Sequence, residues 1–149
     1  MPFDIAKETR KHFILKIAIP HVPLEELISI SKRASERGIF IQFFDPSAIK
    51  SREQLLFAYA CAKIAFHERT NKYDNFAVEV MCFAAHEQQA KAAISKCGAK
   101  ENSEVLVFAD SDKALEMLKS KLSGVHEFKR VNGKSSSIEI ARMATLHLQ

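Results

Sequence analysis

Residues 51–98 read SREQLLFAYACAKIAFHERTNKYDNFAVEVMCFAAHEQQAKAAISKCG. Ser51-x-x-Gln54 is a capping box, which opens a helix by satisfying its first backbone donors. Leu55, Tyr59, Ala62 and Phe66 then share one face, while Arg52, Lys63 and His67 lie opposite. This helix should end near Arg69, before the polar turn Thr70-Asn71-Lys72-Tyr73-Asp74, with Asp74 or Asn75 capping the next one. From Phe76 to Ala85 every position is apolar or Ala except Glu79. A helix apolar on all sides is buried on most of them, so this segment should be the central helix. His86 to Lys96 should continue helically, with Ala90, Ala93, Ile94 and Cys97 inward and Gly98 as the stop.

Strands flank this helical middle. Phe13 to Ile19 is rich in Ile and Phe and is stopped by Pro20. Pro23 suits a first helical position, and Leu24, Leu27, Ile28, Ser31 and Ala34 follow at helical spacing up to Gly38, a natural C-terminal cap. Ile39 to Phe44 is a second strand, ended by Asp45-Pro46, and it can run parallel to the first through a right-handed crossover. That order predicts one layer of helix on one sheet. Val105 to Ala109 is a third strand, and Asp112 to Leu122 a helix with Ala114, Leu115, Leu118 and Leu122 inward. Val125 to Val131 reads as an edge strand. A second capping box, Ser136-x-x-Glu139, precedes a short helix or extended arm from Ile138 to Leu148. The expected class is α/β (α+β): a small mixed β-sheet packed with several α-helices, one domain over 1–149.

Composition agrees with that class. Hydrophobic residues make up 47% and charged residues 27%, enough apolar material for a core without staples. The net charge of +4 favours an anionic partner such as RNA, although a solubilising surface has the same signature. Cys61, Cys82 and Cys97 are odd in number and have no C-x-x-C spacing, which argues against a disulfide framework or a four-cysteine zinc site. No apolar run approaches the roughly 20 residues of a membrane span, and no signal-peptide core is visible. A reducing cytoplasm fits.

The search for chemistry returns little. No phosphate-binding glycine loop, G-x-S-x-G or H-E-x-x-H occurs; His67-Glu68 and His86-Glu87 lack the second histidine. No catalytic residue, metal or cofactor is expected. Glu79 is the sharpest single position, because a carboxylate inside an apolar helix needs a partner. Two roles are open: it orients Arg69 or another cation at a binding edge, or it ties the turn at 70–74 as architecture. The cations Lys50, Arg52, Lys63, Arg69 and Lys72 can form a basic edge beside Thr70 and Asn71, the kind of cluster that phosphates need, or simply a solvated face. Tyr73 and Phe76 are the nearby rings for base stacking, although Phe76 fits the core better.

The run from Ile41 to Gly98 resembles the central part of the kinase-binding subunit of the KEOPS complex, the PRPK-binding protein family. Ile49 and Leu55, Arg69-Thr70-Asn71, Glu79, Glu87, Gln89, Ala93-Ile94 and Gly98 follow that pattern in order. Three positions depart from it: His86 replaces the glycine before Glu87, Gln88 an arginine, and Ala90 an isoleucine. The resemblance implies a non-catalytic cytoplasmic subunit of the complex that makes threonylcarbamoyladenosine in tRNA. It would bind the complex's small atypical kinase and the tRNA 3′ CCA end, with neither DNA nor membrane as partner. On that reading Arg69, Thr70, Asn71 and Lys72 contact RNA with Lys50, Arg52 and Lys63 as phosphate partners, while Ile140 and Leu146 are candidates for the kinase. The competing readings are a small hydrolase-like enzyme with a dispersed site or a ligand-binding regulator, and both require a concave pocket near Glu79.

Overall fold

The structure, a computed structural model, describes residues 13–18, 23–101, 104–122 and 128–130. Strand β1 (Phe13–Ala18) is followed by α1 (Leu24–Glu36), β2 (Ile41–Phe44) and a 3-10 turn at Pro46–Ala48. Helices α2 (Arg52–Glu68), α3 (Phe76–Ala85) and α4 (Ala90–Cys97) come next, then β3 (Glu104–Ala109), α5 (Asp112–Lys121) and β4 (Phe128–Arg130).

The strands form one sheet in the order β2-β3-β1-β4. The α/β class read from the sequence is what the structure shows. In one detail it differs: each pairing among the described strands is antiparallel, so the sheet is not of mixed type. Strands β1 and β2 do run in the same direction, but β3 lies between them and is antiparallel to both. β4 pairs with β1 at the edge.

A strand's period of two decides the layering. On β3, Val105, Val107 and Ala109 join Ile41 and Phe43 of β2 in a core with Leu27, Ile30 and Ala34 of α1 and Ala114 and Leu118 of α5. Leu106 and Phe108, with Phe44, face the opposite way, into a core built from α2, α3 and α4. The sheet is therefore covered on both faces, where sequence order suggested one helical layer. A strand buried on both sides has no polar face to betray which helix it meets.

Helix α3 is buried as expected, yet α2 is buried as deeply, with Leu55, Leu56, Ala58, Tyr59, Ala60, Cys61, Ala62 and Ala65 inside. Ser51 caps α2 by accepting from the Gln54 N–H (3.2 Å). The Gln54 side chain completes a variant of the box: its Oε1 accepts from the Lys50 N–H (2.8 Å), and its Nε2 donates to the Ala84 carbonyl (3.0 Å) in the last turn of α3. Gln42 of β2 donates likewise to the Ala77 carbonyl (3.0 Å). Two amides thus tie α3 to its neighbours at both ends.

Three helices end the same way. Gly38 (φ 70), Arg69 (φ 60) and His86 (φ 54) are left-handed, and the next residue's N–H reaches back to Ala34, Ala65 and Cys82 respectively, closing a Schellman motif. His86 therefore stops α3, and the helical continuation expected from His86 to Lys96 is broken until Ala90. The sequence hides this stop because histidine, unlike glycine, does not announce a left-handed residue.

Candidate nucleic-acid interface

The loop between α2 and α3 is held by its backbone. Glu79 is 4% exposed, and its Oε1 accepts from the Lys72 N–H (2.7 Å) and the Tyr73 N–H (2.8 Å). Asn75 caps α3 by accepting from the Val78 N–H, and Asn71 Nδ2 donates to the Tyr73 carbonyl (3.0 Å). The Tyr73 hydroxyl accepts from the Ala90 N–H (2.8 Å) and donates to the Gln88 carbonyl (3.3 Å), so the loop is also pinned to the α3–α4 junction. Of the two roles open to Glu79, the geometry is that of a tie on the turn.

With its backbone so held, the loop presents exposed Arg69, Thr70 and Lys72 side chains. Thr70 and Lys72 form one wall of a cleft of about 330 Å³. The other wall is the Glu79, Cys82, Phe83 and His86 side of α3, closed by Glu87 and Gln88. Glu87 is partly neutralised by Lys96 at 3.8 Å. The cleft thus offers an ammonium, an imidazole, a hydroxyl, an amide and one half-buried ring, beside the carboxylates of Glu79, which is turned to the loop backbone, and Glu87. That set suits a phosphate with an adjoining base.

The cleft's thiol is a poor nucleophile. Burial pushes the Cys82 thiol above its usual value, Glu79 adds to the rise, and Lys72 opposes it. Burial alone takes Cys61 up to about 12, and it also raises Cys97. Thiols need to be thiolates to react or bind metal. Among the described residues no cluster of His, Cys, Asp and Glu is arranged to hold a metal ion. No helix among them is long and apolar enough to cross a membrane.

The other sequence-based candidates divide. Lys50 and Arg52 stand at the opposite end of α2, and at 1.5 Å per residue Arg52 is roughly 26 Å along the axis from Arg69. They sit beside the Ala84 end of α3, as the Lys50–Gln54–Ala84 hydrogen bonds show, so they make no single edge with residues 69–72. Lys63 lies elsewhere again, its ammonium 5.4 Å from the Tyr59 ring centre and 5.0 Å from that of Phe76. It lines a second cavity of about 250 Å³ with Phe66 and Asp110. Phe76 packs edge-on against Phe40, Tyr59 and Phe66, which removes it as a stacking platform. Ile140 and Leu146 lie outside the described residues.

Sequence reasoning missed Phe83 as a wall of the cleft and saw His86 and Gln88 only as departures from a family pattern. The spacing Glu79, Phe83, His86 marks one helical face, but in a helix apolar all round that face carries no contrast. The competing readings required a pocket beside Glu79, and one is there. The carboxylate itself is engaged by two backbone donors.

A family model described as "Kinase binding protein CGI-121" matches residues 23–146. The chain belongs to this family. The match begins at Pro23 and ends at residue 146, so it takes in α1 and every described element after it and leaves β1 outside. It is the family that the 41–98 pattern resembled, and a CGI-121 protein is by description a binder of a kinase. Where that pattern has glycine, this chain has His86 at φ 54, a conformation that glycine adopts without a Cβ penalty. No curated protein matches the chain.

Proposed function

We propose that this protein is a non-catalytic, cytoplasmic subunit of the KEOPS complex, which binds the complex's small atypical kinase and the 3′ CCA end of tRNA. The kinase half rests on membership of a kinase-binding family. The RNA half rests on the cleft between Lys72 and His86, where Thr70 and Lys72, on a loop already fixed by Glu79, face Phe83, His86 and Gln88, with Glu87 as the cleft's second carboxylate. A loop tied in advance loses little freedom on binding, so the contacts it makes translate into affinity. The net charge of +4 adds a weak general attraction to RNA.

Charge reversal tests the RNA site. Arg69→Glu with Lys72→Glu should weaken tRNA binding and flatten its salt dependence, by about 0.7 in log–log slope for each single-strand phosphate that the variant no longer neutralises. Equal affinity and slope in the variant would remove the site. On the kinase side, deleting residues 138–149, which carry Ile140 and Leu146, should weaken co-purification with the kinase. Undiminished binding would exclude that segment.

A further inference from the structure

Among the described side chains, the large hydrophobic residues that stand exposed are Ile28, at 59%, and Ile94, at 50%. The sequence pattern placed Ile94 on an inward face and Ile28 within the helical run of α1. They are not scattered: Ile28 of α1 and Ile94 of α4 line the same groove of about 300 Å³, floored by Phe43 of edge strand β2 and by Val78 and Met81 of α3. Among the described residues that line it, Lys32 alone is charged. Exposed apolar residues that converge on one concavity mark a binding surface more often than chance exposure does.

The kind of occupant follows from what the groove offers. An RNA strand needs several cations and gets one. An added β-strand needs open backbone groups along β2, and these are already engaged. Ser31 Oγ donates to the Ile41 carbonyl (2.7 Å), and Gln42 Oε1 accepts from the Phe43 N–H (3.0 Å). The Asp45 N–H donates to the Cys97 carbonyl (2.8 Å), and Gly98 bridges to Phe44. Gly98 is required for that closure, since a Cβ there would lie 2.5 Å from the Ile94 carbonyl oxygen. With the edge closed, the groove binds by side chains. Exposed Glu25, just outside the lining, and exposed Lys32 stand one helical turn before and after Ile28 and give the α1 rim one charge of each sign.

We propose that this groove is a kinase-docking surface: it receives two adjoining aliphatic or aromatic side chains of the kinase, with a basic residue of the kinase set against Glu25. The proposal rests on the kinase-binding reading and is independent of the 138–149 segment. The groove's α1 rim takes no part in the RNA cleft, so one chain can hold both partners.

The test uses the full chain and the purified small atypical kinase of KEOPS from the same organism. Ile28→Glu with Ile94→Glu should weaken the kinase Kd by about 30-fold or more, the scale of an interface hot spot. Thermal unfolding and tRNA affinity should stay at wild-type values, and Ile28→Leu with Ile94→Leu should bind as wild type. Glu25→Lys should slow association several-fold at low salt. If the glutamates unfold the chain, Ile28→Ser with Ile94→Ser reads the same loss. Wild-type kinase affinity in the folded double variant overturns the docking surface and leaves the kinase reading standing. A wild-type chain that does not bind the kinase overturns both. If instead the wild-type chain dimerises, the double variant is monomeric and kinase affinity is unchanged, the groove belongs to a second copy and the proposal is overturned.

Discussion

Replacing Glu79 by alanine removes the acceptor from which the α2–α3 loop hangs. One oxygen holds the Lys72 and Tyr73 N–H groups at 2.7 and 2.8 Å, distances typical of bonds to an ionised carboxylate. A hydrogen bond to a charged group contributes about 1.5–3 kcal/mol net. Two such bonds suggest a loss of about 3 kcal/mol, the low end of their sum, since Lys72 is an exposed residue and Tyr73 a half-buried one and water can replace part of what is lost. For a chain of this size about 1 kcal/mol moves Tm by roughly 2–4 °C, so Glu79→Ala should melt about 6–12 °C below wild type. Glu79→Gln keeps one oxygen acceptor but gives up the charge, and should lose about 1 kcal/mol. Differential scanning calorimetry gives both numbers, and hydrogen exchange at the Lys72 and Tyr73 amides reports the mechanism. Glu79→Ala should speed exchange at those two amides ahead of global unfolding. An alanine variant within about 0.5 kcal/mol of wild type, or unchanged exchange there, would refute the tie.

Two further substitutions probe the same frame. His86→Gly relieves a left-handed residue of its Cβ and should raise stability by about 1 kcal/mol in denaturant unfolding; a loss of stability would show that the imidazole contributes packing or hydrogen bonding that outweighs the strain. Asp110 reports on the second cavity. Burial raises its carboxyl above the ordinary range, opposed by the Tyr59 hydroxyl (3.1 Å), the Phe40 N–H and Lys63. The folded chain thus holds that proton more tightly than the unfolded one, so the native state gains relative stability as pH falls from above the folded value toward the unfolded one. Asp110→Asn cannot titrate, so the stability of wild type minus that of the variant should rise as pH falls through that window; a flat or falling difference would contradict the burial.

Much of this frame is readable in local chemistry. Ser51, Asn75 and Ser111 cap helices where their side chains can reach a backbone donor, and the apolar run Phe76–Ala85 is a buried helix. What could not be read locally is set by distant partners. The insertion of β3 between β1 and β2 depends on pairing across most of the chain, and it also decides that helices cover both faces. The break at His86 is a backbone conformation without a marker residue. Ile28 and Ile94 are core-type side chains at core-type spacing, and only the neighbouring elements determine that they face outward. The basic edge was half legible: residues 69–72 are contiguous, whereas the reach of α2 separates them from Lys50 and Arg52.

Whether the Lys72–His86 cleft holds the 3′ end of tRNA is tested most directly by one comparison of affinities. It sets intact tRNA against the same tRNA lacking its CCA terminus, for the wild-type chain and for Lys72→Glu. Removing CCA should weaken binding to the wild-type chain by at least about tenfold, roughly 1.4 kcal/mol, and Lys72→Glu should abolish most of that difference. Equal affinity of the wild-type chain for the two tRNAs would contradict the proposed site.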